Sequence, residues 1–253
     1  MNETIVFAII LSLLAGLSTV IGSFLSFFIK NNNYKFLSFI LAFSAGVMIL
    51  LSLTELIVES NMFLKYDFNN IVAIIMTFLF FLIGIILIYI LNKIIPENNF
   101  TDKEGKLIRI GIFTCIALAI HNFPEGILTF TSTIKDYSLG ILITISIALH
   151  NIPEGIAISM PIYYGTKKRK KAFFYSFIAG LFEPLGAILT FLILMPFLNS
   201  TIFGIVFAIV AGIMTYISMF EIFPNAFKYN KKMSLLGFVI GLIFMYLSIN
   251  FLK

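Results

Sequence analysis

A single cysteine, Cys115, stands in a chain of 253 residues. No disulfide can close within the chain, and no CxxC or Cys/His zinc-finger spacing occurs. Its plain reading is a small apolar residue inside a helix. Histidine is nearly as scarce, with two copies, and only 11% of residues are charged against 60% apolar. Mean hydropathy is +1.06. That balance fits neither a globular nor a disordered chain and indicates an integral membrane protein. The sequence has no Walker-type phosphate loop, which argues against ATP hydrolysis, and no HExxH zincin signature. It also lacks a basic leader followed by a small-residue cleavage pattern, so the first apolar run reads as a transmembrane helix.

Uncharged runs extend from Thr4 to Ile29, Phe36 to Thr54, Ile71 to Asn92 and Met233 to Leu252. Each is near the roughly 20 residues an α-helix needs to cross hydrocarbon. Four further apolar stretches carry isolated charges: Leu107 to Phe130, Ser138 to Tyr163, Ala172 to Pro196 and Thr201 to Phe227. The expectation is an all-α bundle of eight transmembrane helices in one transporter domain. Its approximate spans are 4–29, 36–58, 71–95, 107–130, 138–163, 172–196, 201–227 and 233–252. The segment Pro96 to Lys106 reads as a plain connector. Gly237 and Gly241 form a GxxxG in the last span, a signal for close helix contact within the chain or with a second copy, which leaves a homodimer open.

The net charge of +5 gives no nucleic-acid reading, because the basic residues sit almost wholly between spans or at their ends, fourteen of the 17 in groups at alternate loops. They are Lys30 and Lys35; Lys93, Lys103, Lys106 and Arg109; the run Lys167 to Lys171; and Lys228, Lys231 and Lys232. Lys65, Lys135 and Lys253 lie on the other side. The positive-inside rule then places the basic loops in the cytoplasm and both termini outside the cell membrane. The Lys167 to Lys171 run reads as a topology anchor, with anionic lipid as the alternative ligand.

Both histidines belong to a repeated six-residue phrase. It appears as His121-Asn122-Phe123-Pro124-Glu125-Gly126 and again 29 residues later as His150-Asn151-Ile152-Pro153-Glu154-Gly155. On a helix, residues i and i+4 share a face, so each histidine stands over its glutamate, with the asparagine flanking. Imidazole, amide and carboxylate donors suit a divalent transition ion. Pro124 and Pro153 free the carbonyls of Ile120 and Leu149 from the helix ladder. Such backbone should face protein or a water-lined cavity.

Glu183-Pro184 in the sixth span and Glu221, three residues before Pro224, repeat the pairing of a carboxylate with a proline. Each ionised group at a helix centre costs about 2.5–3.5 kcal/mol, so Glu125, Glu154, Glu183 and Glu221 would cost roughly 10 kcal/mol together without partners. A bound cation neutralises them. The spacing suggests a two-metal centre bridged by Glu125 and Glu154. Glu55 is a candidate outer binding point, and Glu59 an interfacial, solvated residue. Imidazole tilts selection toward zinc, with Fe2+ as a further possibility. Protonation of His121 and His150 should weaken loading. The rival readings are a membrane metallohydrolase and a sensor or structural protein braced by metal.

The two phrases, the longer run Ala148 to Pro161, and Gly180-Leu181-Phe182-Glu183-Pro184-Leu185-Gly186 resemble the ZIP family of divalent metal transporters, most closely its bacterial zinc-uptake branch. The resemblance extends weakly over nearly the whole chain. It implies a three-plus-two-plus-three helix arrangement, a binuclear site at mid-membrane and extracytoplasmic termini. It places His121, Asn122, Glu125, His150, Asn151, Glu154 and Glu183 on metal-ligand positions, with Glu221 secondary. It implies a transporter, not an enzyme. Many relatives carry a histidine-rich stretch before the fourth span. Pro96 to Lys106 has no histidine, which puts metal hand-off by that loop in doubt.

Overall fold

A computed structural model describes residues 3–28, 33–94 and 102–252, and among them there is no strand. Eight helices among the described residues are long and apolar enough to cross a membrane. They are α1 (Glu3–Phe28), α2 (Tyr34–Leu64), α3 (Asn70–Ile94), α4 (Lys103–Lys135), α5 (Tyr137–Thr166), α6 (Arg169–Phe197), α7 (Ser200–Tyr229) and α8 (Lys231–Leu252). The connector expected over Pro96 to Lys106 is helical from Lys103; residues 95–101 lie outside the described part. α4 begins early because the Asp102 carboxylate caps it, accepting a bond from Gly105 N–H at 3.0 Å and satisfying a donor the helix ladder leaves open. Arg109, counted from sequence with the basic group at this end and inside the expected span 107–130, sits within the second turn of α4.

Contacts sort the helices into two bundles. One contains α1, α4, α5 and α6; the other contains α2, α3, α7 and α8. Within each, glycines bring backbones together. Gly16 of α1 lies against the carbonyl of Gly180 in α6, Gly155 of α5 against that of Thr19, and Gly126 of α4 against that of Glu183. In the second bundle, Gly84 and Gly212 join α3 to α7, while Gly237 and Gly241 meet the carbonyls of Phe39 and Phe43 in α2. The GxxxG is therefore an intramolecular contact, since its small residues let α8 settle on α2. The described glycines that make such approaches find their nearest neighbours inside their own bundle. The seam between bundles is formed by α2 on α5, α4 on α7 and α5 on α8.

Among the described residues, three helices contain a π-helical turn: Ser52–Leu56 in α2, Thr190–Leu194 in α6 and Ile217–Ile222 in α7. The first and last carry Glu55 and Glu221, a common association of such turns with functional positions. α3 and α8 are largely exposed, presenting residues such as Ile71, Ile74, Phe78, Val239 and Leu247. Apolar helices exposed at this length belong against lipid.

Candidate metal centre

The geometry of the site follows from one residue, Asp136. Its extended backbone (φ −157°, ψ 128°) ends α4 and starts α5, its N–H reaching Ser132 O at 2.9 Å and its carboxylate accepting from Leu139 N–H at 2.8 Å. α4 and α5 are thus antiparallel neighbours joined by a single residue. His121 lies fifteen residues before that corner and His150 fourteen after it. At 1.5 Å per residue both stand roughly 21–22 Å from the turn, at one level. The two phrases run in opposite directions, so Glu125 comes toward the turn and Glu154 away from it. The sequence repeat is thereby converted into a layered set, with both histidines between the two carboxylates.

The contacts match this layout. Glu125 Oε1 lies 3.2 Å from His121 Nε2 and 2.8 Å from His150 Nε2, and Glu154 Oε1 lies 3.4 Å from His121 Nε2. His121, Glu125 and His150 offer donor atoms all within 4.8 Å of one another. Two ligands about 2.0–2.1 Å from a tetrahedral zinc stand roughly 3.3 Å apart. The nitrogen–oxygen separations therefore fall in the range of one coordination shell. They also suit a shared proton, which competes with metal for the same lone pairs.

Asn151 extends the set toward α6. Its amide donates to Ala15 O at 3.1 Å and contacts Glu183 Oε1. Asn122 donates to Ala179 O at 3.1 Å, an atom of α6 one turn before Glu183. Both asparagine Oδ1 atoms, Glu125 Oε2, Glu183 Oε2 and Glu154 Oε2 have no hydrogen-bond donor. Buried acceptors in this number are costly unless a cation or water meets them. All seven expected residues are buried, the most exposed being His150 at 4%. His121, Glu125, His150 and Glu154 are linked by side-chain contacts, Asn151 and Glu183 contact each other, and Asn122 faces the carbonyl of Ala179.

The glycine closing each phrase has a packing role. A Cβ at Gly126 would overlap the Glu183 carbonyl, and one at Gly155 would overlap the Thr19 carbonyl. These approaches set α6 and α1 against the metal-phrase helices. α1 as a wall of the site was not anticipated from sequence. The available signal was its face of small residues, Ala8, Ser12, Ala15, Thr19 and Ser23, all buried.

Comparison with known proteins agrees. A family model described as ZIP Zinc transporter matches residues 96–249. A protein of Oceanobacillus iheyensis described as Zinc transporter ZupT is 47% identical, with 98% of each chain covered. Proteins with the same description from Lysinibacillus sphaericus and Streptococcus mutans are each 45% identical, again over 98% of both chains. The chain belongs to the ZIP family.

In this ZIP family member the remaining candidates fall elsewhere. Glu221 is not in contact with the histidine cluster; it pairs with Arg109 at 3.3 Å. Glu55 lies in the π-helical turn of α2, partly buried, and Glu59 follows one turn later. Cys115 is buried with its thiol directed at Tyr175 O, 3.3 Å away, and acts as a small packing residue between α4 and α6. On the α4–α5 corner side of the cluster, a recess of about 380 Å³ opens along the seam, lined among others by Glu59, Phe63, Leu128, Ser132 and Ile143. Leu128 and Ser132 stand three and seven residues beyond Glu125, on its helix face.

Proposed function

We propose that this chain is a secondary transporter carrying Zn2+, with Fe2+ and other divalent cations as lesser cargo, across the cell membrane into the cytoplasm. The observation that carries the reading is the buried cluster of two imidazoles and two carboxylates shared by antiparallel α4 and α5, with unpartnered oxygens beside it. The description of its relatives as zinc transporters supports the choice of cargo. His121, His150, Glu125 and Glu154 hold one ion. Asn122, Asn151 and Glu183, with the second oxygens of Glu125 and Glu154, hold another. The two bridging carboxylates cancel the charge of one dication, and that removes most of the cost of placing it at membrane depth. Imidazole donors favour zinc over magnesium or calcium.

The whole chain works as one transporter domain, with three helices before α4 and α5 and three after. The basic loops lie in the cytoplasm and both termini outside it. Zn2+ enters through the recess at the α4–α5 corner and leaves toward the basic end. The test is uptake of Zn2+ and Fe2+ into proteoliposomes by the intact chain and by Glu125→Ala with Glu154→Ala. Faster uptake of Zn2+ than of Fe2+, abolished in the double variant, is the expected result. Bound zinc that never crosses the membrane would overturn the reading in favour of a metal-braced structural protein.

A further inference from the structure

The two ends of the seam between bundles are built differently. At the α4–α5 corner it is open, as the recess between Phe63 and Phe203 on one side and Leu128 and Ile143 on the other. At the opposite, basic end it is crossed by polar contacts. Arg109 of α4 meets Glu221 Oε1 of α7 at 3.3 Å and donates to Asn92 O of α3 at 3.0 Å and Asn92 Oδ1 at 2.5 Å. The Asn92 amide in turn donates to Glu221 Oε2 at 3.3 Å and to the Tyr216 hydroxyl at 3.1 Å. Nearer the end, the Lys103 ammonium of α4 stands 3.7 Å from the ring centre of Tyr34 in α2, and Tyr164 of α5 donates to Asn33 O at 3.0 Å.

We infer that Arg109, Glu221 and Asn92 form a clasp that closes the cytoplasmic end of the metal path and must open for each ion released. The inference rests on the transporter reading above. Three observations carry it. The pair is nearly buried, with side chains 11% and 8% exposed, and protein groups hold it, Asn92 among them. Removing one charge of such a buried pair is costly, whereas an apolar pair could replace both. An apolar pair would give comparable packing, and an ionic one adds a link that has two discrete states. Second, the clasp joins bundles whose backbone-to-backbone glycine contacts are all internal, so the seam is the surface along which the molecule can part. Third, Glu221 lies in the π-helical turn Ile217–Ile222, three residues before Pro224, where the α7 ladder is already irregular and can adjust without losing regular bonds. Such turns commonly mark moving positions. Glu221 is therefore a positioning residue and not a ligand of the buried cluster.

The experiment uses the full chain in proteoliposomes with Cys115→Ser as background, and a bis-methanethiosulfonate reagent to bridge Arg109→Cys and Glu221→Cys. Bridging is expected to stop Zn2+ uptake while leaving equilibrium Zn2+ binding within about twofold, and a reductant is expected to restore flux. Bridged protein that transports at the unbridged rate overturns the clasp. In a second arm, Arg109→Ala and Glu221→Gln each slow saturated uptake about tenfold, and Arg109→Glu with Glu221→Arg recovers roughly a third or more of the rate. Single variants that transport as fast as the parent also overturn it. A Cys115→Ser parent that binds Zn2+ but moves none would refute the transporter reading instead.

Discussion

Glu125 is the residue on which the cluster turns, because one of its oxygens meets both imidazoles. Glu125→Gln keeps the shape and removes the charge. Zinc affinity by isothermal titration is expected to fall roughly 30-fold or more, the effect of taking one charged partner from a desolvated pair. Retained affinity would show that the imidazoles and Glu154 suffice. Protons compete for the same lone pairs, so loading is lost as imidazole and carboxylate are protonated and gained as they are freed. Uptake into proteoliposomes should therefore rise with pH, and a flat profile would contradict a shared proton–metal site. Gly126 is constrained by the neighbouring Glu183 carbonyl. Gly126→Ala should lower thermal stability by about 1–3 kcal/mol through overpacking. Because α6 must shift, it should also reduce the zinc held per chain.

At the scale of elements, the α4–α5 hairpin brings the two histidines to one level. The single-residue corner at Asp136 fixes the register of one phrase against the other. Inserting one residue in α5 between Leu139 and Ile143 would rotate His150 by about 100° and shift it about 1.5 Å along the axis. Helix content by circular dichroism should be unchanged and zinc binding abolished. Binding that survives would mean the hairpin adjusts its corner. The prolines of the phrases leave α4 and α5 helical throughout. Glycine contacts to α1 and α6 hold these segments from outside. Arg109 was legible as a charge inside the fourth span, but its partner was not. The pairing with Glu221 depends on how α4 packs against α7, which the hydropathy of either segment does not report.

For the whole molecule, the proposed orientation rests on charge, while backbone contacts fix the division into bundles. A cysteine at Tyr66, in the α2–α3 turn, is expected to react with a membrane-impermeant maleimide applied outside intact cells. One at Lys168 is expected to react only after permeabilisation. The reverse pattern would invert the proposed direction of uptake. Eight spans and the metal phrases were readable because hydropathy and i,i+4 spacing are local properties. Glu183 was readable for the same reason, as a lone carboxylate in an apolar run. The grouping of α1, α4, α5 and α6 was not, since small residues mark close approach without naming the partner. Gly237 and Gly241 illustrate this: the pattern fitted a second copy as well as α2, and the structure assigns it to α2.

The amino-acid order by itself determined eight segments long and apolar enough to cross a bilayer and which side chains could replace water around a dication, because both follow from transfer free energy and donor chemistry read within a few turns. Tertiary structure decided that the two phrases face each other head to tail across one hairpin. It also paired Glu221 with Arg109 instead of with the histidines. These outcomes depend on contacts between residues as far apart as α4 and α7, and such contacts are set by how helices pack and where each one begins.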